Sequence, residues 1–334
     1  MTTTTPVTIV AEAAQGFEGD PFIARLLVRA AAAGHADMVK FQLVYADELA
    51  TREYPYHGLF RGLEMTSDGW GSVADEARRR NIGLVFDVYG PRALDLALQL
   101  GAAAVKVHAT DFFNEPLVDQ AIARAPAVHF SAGGIEVDEV HAWLTRLGAG
   151  ALAKLTLLYG FQAEPTVAED NRLARLGSLR ARFPGLRLGF MDHADGASDE
   201  AGWLGLLALP FGISVIEKHV TLDRALELED YVSAVTAGEL AAYVRRVRLA
   251  EAALGGGDLT LSPTERTYRH KALKAVVAAR ALDRGAKVDA GDLLLLRAPL
   301  PESGEILRRP GDAVGRRLVR AVAAGAVLCR EDLE

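Results

Sequence analysis

Short runs of β-branched and apolar residues alternate with longer segments of helical period between residues 8 and 219. This alternation is typical of repeated βα units around a parallel sheet. Eight runs within about 220 residues suit a closed (β/α)8 TIM barrel better than an open sheet. The predicted strands are residues 8–12, 38–42, 84–87, 104–108, 127–131, 154–159, 188–191 and 215–219.

The segments between the runs predict helices, among them residues 22–33, 91–100 and 137–147. Gly34, Gly101 and Gly148 lie where helix C-caps are expected. Residues 237–254 predict one long amphipathic helix, and three glycines at 255–257 then mark a break. We therefore predict a barrel domain over residues 1–257 and a small β-rich domain over 258–334. Apart from the βα alternation, we expect no internal repeat.

Composition excludes several functional classes. The 334 residues are 50% hydrophobic, enough for a sizeable core, and carry a net charge of −7 with no extended basic run, which disfavours nucleic-acid binding. A single cysteine, Cys329, excludes an intramolecular disulfide. No secretion signal and no run of membrane-spanning length is apparent. The sequence favours a cytoplasmic protein that does not enter membranes.

Polar residues stand at nearly every predicted strand end. In a parallel barrel the catalytic groups lie at the C-terminal ends of the strands. If the residues there had only a structural role, several charged side chains would be desolvated without any function to offset the cost. Each of them taken singly is more often a solvated or salt-bridged residue. The residues at these ends are Glu12, Lys40, Gln42, Asp87, Lys106, His108, Ser131, Asp192, His193, Lys218 and His219.

The two histidines that end strands seven and eight predict a metal site. Neighbouring strands bring His193 and His219 close together, and neutral imidazole is a common ligand of Mn²⁺, Zn²⁺ and Fe²⁺. We expect Asp192 and Glu217 to point away from the barrel mouth. The two strand-end lysines could neutralise a phosphate or carboxylate, or form a Schiff base, and the residue pattern does not decide between these.

Seven segments in chain order resemble the sialic acid synthases, which condense phosphoenolpyruvate with an N-acetyl amino sugar. The tail from Glu265 to Leu333 resembles the SAF, or antifreeze-like, domain that ends members of that family. The resemblance implies a homodimer in which this domain is swapped onto the active site of the partner subunit. The matching segments are VAEAAQGFEGD (10–20), AGHADMVKFQ (33–42), AAVKVHATDF (103–112), HFSAGG (129–134), GFMDHADG (189–196), VIEKHVTLD (215–223) and LEDYVSA (228–234).

The resemblance also implies roles for individual residues. His193 and His219 would hold a divalent ion, typically Mn²⁺, that polarises the aldehyde of the sugar. Glu12 would be the catalytic carboxylate. The remaining roles are a catalytic or acceptor contact for Asp230, binding of the enolpyruvate donor by Lys40 and Lys106, a hydrogen bond from Ser131, and acceptor contacts from Gln42 and Arg297.

Several substrate-binding positions depart from the family pattern. Phe86-Asp87 replaces a Ser-Thr pair, and a desolvated carboxylate at Asp87 would repel a phosphate. Asp111 replaces a glutamate, and Gln162 and Glu164 stand where the family has Asn-x-Tyr. We therefore expect a synthase with altered substrate lining. Two alternatives are a metal-dependent aldolase or lyase that takes a donor without phosphate, such as pyruvate, and a non-catalytic binding protein on the same scaffold.

Overall fold

The computed structural model describes residues 5–334. The chain divides into two compact units, Met1–Gly256 and Gly257–Glu334. No helix among residues 5–334 is both long enough and apolar enough to span a membrane.

The first unit is a closed barrel of eight parallel strands, so the predicted TIM barrel is confirmed. Each predicted strand is present, and the last has the predicted bounds. The strands are β1 (Thr8–Ala14), β2 (Met38–Leu43), β3 (Gly83–Val88), β4 (Ala104–Val107), β5 (Val128–Ser131), β6 (Leu155–Tyr159), β7 (Arg187–Asp192) and β8 (Val215–His219).

Nine helices of the described chain accompany the barrel. Gly148, predicted as a C-cap, has non-helical backbone with φ 72° where two helical segments of α7 meet, so the first segment ends at the predicted glycine. The helices are α1 (Pro21–Ala33), α2 (Ala46–Leu49), α3 (His57–Gly62), α4 (Ser67–Arg80), α5 (Pro91–Gln99), α6 (Glu115–Arg124), α7 (Val137–Leu152), α8 (Ala174–Arg182) and α9 (Ala237–Leu254).

Helix α1 shows how local sequence produces these elements. The Asp20 side chain caps the helix by accepting a hydrogen bond from the Phe22 N–H at 2.7 Å, and a proline occupies the first turn, where no amide donor is needed. The apolar residues Ala24, Leu27, Val28 and Ala31 recur at helical spacing and are buried. The closing Gly34 packs so near Leu240 of α9 that a Cβ would lie 2.5 Å from that side chain.

The barrel interior differs from the layer between strands and helices. Most of the core lies in that outer layer. Inside, a small apolar cluster of Val10, Leu158, Met191 and Val215 accompanies Met38. Charged side chains, described below, share the interior, which explains why it is not uniformly hydrophobic.

The second unit contains one helix and a two-stranded antiparallel sheet, as expected of a β-rich domain. Its elements are α10 (Pro263–Ala272), β9 (Ala275–Ala278) and β10 (Leu293–Leu296). Helix α10 was not predicted from the sequence. None of its residues is buried, so it carries no apolar stripe, although Ser262 and Glu265 form a capping box at its start.

This unit also contains a repeat that the sequence analysis missed. Residues 280–293 and 320–333 both read Arg-Ala at the start, Gly-Ala at the sixth and seventh positions and Asp-Leu at the end. In each copy the aspartate pairs with the arginine twelve residues earlier, Asp292 with Arg280 at 2.7 Å and Asp332 with Arg320 at 2.5 Å. The expectation of no further repeat is therefore wrong.

Candidate active site

The end of β1 is bulged in a way that orients Glu12. Glu12 pairs with Lys40 of β2, but the next partner of β2 is Ala14, so one residue of β1 is extra. Ala14 adopts φ 45°, and its N–H donates to Glu12 Oε1 at 2.8 Å. The carboxyl group is thereby held toward the barrel interior.

Three carboxylates and two lysines meet inside the barrel and are all buried. Lys40 Nζ lies 2.8 Å from Glu217 Oε2 and 3.4 Å from Asp87 Oδ2, and it also contacts Glu12. Lys106 Nζ lies 2.9 Å from the same Glu217 oxygen and 3.7 Å from Asp87. With every group ionised, this charge cluster carries one more negative than positive charge.

Glu217 was expected to point away from the mouth, and that expectation is wrong. It lies two residues before His219 on β8, so both face the interior, because strand side chains alternate. Asp192 does point away: its Oδ2 lies 3.2 Å from Lys218 Nζ, with both side chains fully buried. The Lys218 ammonium lies 5.8 Å from the centre of the Tyr243 ring of α9.

The surroundings of the cluster give Glu12 and Glu217 very different pKa values. Burial raises the pKa of Glu12 to about 7, although Lys40 opposes the shift. Burial also acts to raise the pKa of Glu217, but Lys106 and Lys40 outweigh it and hold that pKa well below its usual value. Burial acts against protonation of Lys40, yet the surrounding carboxylates, Asp87 first, raise its pKa. Glu12 is therefore the cluster member that readily holds a proton.

The rings of His193 and His219 lie side by side, with centroids 4.9 Å apart and planes inclined by 49°. Burial lowers the pKa of His219 to about 3 and that of His193 well below its usual value, so both imidazoles are neutral. Within residues 5–334, neither buried Nδ1 has a hydrogen-bond partner. Two neighbouring neutral imidazoles are suitable ligands for a divalent cation. The same residues contain no group of three His, Cys, Asp or Glu side chains arranged for a metal.

One cavity of about 1090 Å³ joins these groups. Lys40 is fully buried and is not among its lining residues, whereas Lys106 is. The predicted site residues that line it are Glu12, Gln42, Asp87, Lys106, Ser131, Gln162, His193 and His219.

The other predicted residues of the barrel are not among those that line the cavity. Gln162 donates to Glu164 Oε1 at 2.7 Å and to Asp230 Oδ1 at 2.8 Å, so one lining side chain holds both acids. Asp111 accepts from the Asn114 side chain at 2.7 Å. In the second unit, Arg297 is exposed and its Nε donates to the Ala272 carbonyl at 3.1 Å.

Comparisons with known proteins agree with this architecture. Residues 27–259 match the model of the NeuB family. The chain belongs to the NeuB family. Residues 274–334 match the SAF domain model. The predicted sialic acid synthase resemblance is therefore confirmed, as is the predicted enzyme class, a carbon–carbon bond-forming synthase.

Individual relatives are similar along most of this NeuB-family chain. It is 27% identical to N,N'-diacetyllegionaminic acid synthase of Legionella pneumophila, over 98% of this chain and 94% of that protein. It is 26% identical to human N-acetylneuraminate-9-phosphate synthase, over 89% and 84% of the two chains. The structure of N-acetylneuraminic acid synthetase from Leptospira borgpetersenii superposes with a TM-score of 0.73 at 24% identity, over 80% of this chain and 93% of that one, and supports the fold.

Sequence reasoning undervalued two interior residues besides Glu217. His129 was not among the predicted site residues, yet its Nδ1 lies 3.9 Å from Glu217, and burial lowers the pKa of the ring to about 4. Met191 receives a hydrogen bond from Ser131 Oγ at 3.7 Å and lines the cavity. The period-two alternation that places His129 and Ser131 on one face of β5 could have indicated the histidine.

Proposed function

We propose that this NeuB-family protein is a metal-dependent synthase that joins an enolpyruvate, phosphoenolpyruvate or a relative, to the aldehyde of an amino sugar. The product would be a nonulosonic-acid-like 2-keto-3-deoxy acid. The observation that supports this most is that one cavity contains both the neutral pair His193 and His219 and the members Glu12, Asp87 and Lys106 of the charge cluster.

The residues divide the work as follows. His193 and His219 would hold a divalent cation, Mn²⁺ by preference, which when bound would polarise the aldehyde as a Lewis acid. Lys106, whose ammonium faces the cavity, would bind the carboxylate of the donor. Lys40 would act as a positioning residue, because it contacts Glu12 and Glu217 without lining the cavity.

Glu12 would move the protons of the condensation. C3 of the enolpyruvate attacks the aldehyde carbon and forms the new bond, while the aldehyde oxygen gains a proton. Water then adds at C2, and with phosphoenolpyruvate the phosphate leaves as the keto group forms. The carboxyl group of Glu12 lines the cavity and is fixed by the bulge, as a general acid or base requires.

Calorimetric titration with Mn²⁺, together with metal analysis, tests the ion site. His193→Ala should abolish binding and leave far-UV circular dichroism unchanged, whereas His270→Ala, an exposed histidine of α10, should bind like the wild type. Unchanged Mn²⁺ affinity in His193→Ala would refute the metal assignment.

A metal-dependent aldolase that takes pyruvate is the second candidate, and Asp87 favours it. Within residues 5–334, neither carboxylate oxygen of Asp87 has a hydrogen-bond partner, and even with Glu12 protonated the other two carboxylates already balance both lysines of the cluster. Such a centre disfavours an additional phosphate. Incubation with Mn²⁺, an N-acetyl hexosamine and either donor separates the two candidates: release of inorganic phosphate supports the synthase, and product formed only from pyruvate supports the aldolase.

We also propose a cytoplasmic, domain-swapped homodimer in which Arg297 completes the cavity of the partner subunit. Arg297 is exposed, with a single hydrogen bond to a carbonyl in the described chain. Mixed refolding of His193→Ala with Arg297→Ala chains tests the swap. Hybrid dimers then contain one intact site, so about a quarter of wild-type activity should return. No recovery in hybrids that size-exclusion chromatography shows to be dimeric would contradict it.

A further inference from the structure

The cavity is not confined to the barrel interior. Its lining includes Leu157 and Tyr159 of β6, which lie on the opposite strand face from Leu158. Leu158 packs inside the barrel with Val10 and Met191, whereas Leu157 belongs to the core between strands and helices. The cavity therefore passes over the end of β6 and continues behind it.

Helices α7 and α8 line this outer part. Val137 and Val140 contribute from α7, three residues apart. Four residues of α8 contribute at positions i, i+3, i+4 and i+7, the spacing of one helix face. Because α8 rises about 1.5 Å per residue, its first and last lining residues stand about 10 Å apart along the helix. We call this part the side slot, defined by Val137, Val140, Leu157, Tyr159, Arg175, Ser178, Leu179 and Arg182.

The side slot combines apolar walls with unpaired cations. Val140, Leu157 and Leu179 present aliphatic side chains. Arg175 and Arg182 are exposed, and neither forms a salt bridge with any residue between positions 5 and 334. Glu136, which precedes the slot and also lines the cavity, is likewise exposed, and within the described residues it forms a salt bridge with neither arginine. Guanidinium groups bind carboxylates and phosphates through paired hydrogen bonds.

Size and continuity indicate what the side slot accommodates. The whole cavity, about 1090 Å³, is slightly larger than the roughly 300–1,000 Å³ typical of small-molecule sites. A second cavity of about 460 Å³ shares Arg182 and continues along α7. An enolpyruvate has only three carbons, and the proposed function places it against Lys106 inside the barrel. The slot is therefore left to the acceptor.

We propose that the side slot binds a substituent of the acceptor sugar that has an aliphatic body and an acidic end held by Arg175 or Arg182. This rests on the proposed function for the chemistry, but the binding itself can be measured without turnover. It predicts a preference for acidic over neutral substituents of equal length.

N-adipoyl and N-heptanoyl hexosamines test the preference, since their acyl chains differ mainly in the terminal carboxylate, and the N-acetyl sugar is the reference. Calorimetry without donor, and kcat/KM with donor, should favour the adipoyl compound about tenfold, as a charge-assisted hydrogen bond allows. Arg175→Met combined with Arg182→Met should abolish the preference and leave kcat/KM for the N-acetyl sugar unchanged. Arg172→Met, an exposed arginine outside the cavity lining, is the matched control.

The outcomes separate the two proposals. Equal affinity for the two acyl sugars, binding of neither, or a preference that survives in the double variant overturns the side slot. Turnover of the N-acetyl sugar without any preference leaves the proposed function standing and removes the slot alone. Selective binding of the adipoyl sugar without turnover supports the slot and counts against the condensation.

Discussion

Breaking the buried pair of Asp192 and Lys218 should cost the barrel far more than removing both charges together. Their charged atoms are 3.2 Å apart, and both side chains are fully buried between β7, β8 and α9. At an effective dielectric constant of about 20, the attraction is about 5 kcal/mol. Desolvation of the two ions costs several kcal/mol each and offsets it. Within residues 5–334, neither Asp192 Oδ2 nor Lys218 Nζ has a hydrogen-bond partner that would further offset the desolvation cost.

Lys218→Met should therefore lower the free energy of unfolding by about 3–5 kcal/mol, because it leaves a carboxylate buried without its cation. Asp192→Asn should cost a similar amount. The double variant should return to within about 1 kcal/mol of the wild type, since an apolar chain and a neutral amide then replace two desolvated charges.

Urea unfolding followed by tryptophan fluorescence measures this cycle. All three tryptophans, Trp70, Trp143 and Trp203, lie in the barrel unit, so the signal reports its unfolding. The exposed pair of Arg146 and Asp119 is the matched control, and Arg146→Met should cost less than about 1 kcal/mol. Additive losses in the double variant, or single losses as small as the control, would show that the reasoning about burial is wrong.

Two further substitutions test the packing of the barrel unit. A Cβ at Gly196 would lie 1.9 Å from the Ala234 carbonyl oxygen, so Gly196→Ala should lower the free energy of unfolding by about 2–3 kcal/mol. Gly238→Ala is the control: nothing lies within 4 Å of its added Cβ, so it should raise the free energy of unfolding slightly. Equal urea midpoints for the two variants would contradict this. Glu76→Gln should cost about 1–2 kcal/mol at neutral pH, because the buried carboxylate pairs with Arg29, Arg79 and Arg80. Arg29 and the other arginines lower the pKa of Glu76 below 4.5. The difference in free energy of unfolding between variant and wild type should therefore be complete above pH 4.5 and shrink as the pH falls below it. A difference that stays constant down to about pH 2 would exclude the ion pairs as its source.

The sequence predicted the fold better than it predicted the interior of the site. Strand β8 has the predicted bounds, and His193 and His219 meet because consecutive strands are neighbours in a barrel. Glu217 was misplaced because its partners Lys40 and Lys106 come from strands that are not adjacent to β8. Such contacts across the barrel have no counterpart in local spacing.

The same limit applies to the side slot and to α10. The slot depends on how far α7 and α8 stand from β6, and the pattern of apolar positions does not specify that distance. Helix α10 buries no residue, so only its capping box and its charged last turn could have indicated it.

Ala14, at the end of β1, has a left-handed backbone conformation that lowers the stability of the chain while it helps to keep the site rigid. Ala14 at φ 45° carries a steric penalty of about 1–2 kcal/mol that a glycine would escape. A chain selected only for thermal endurance would be expected to place glycine there. Glycine would also make the backbone that donates its amide hydrogen bond to Glu12 more flexible. Thermal stability gained at this position would therefore come with a less firmly held Glu12 carboxyl group in the cavity.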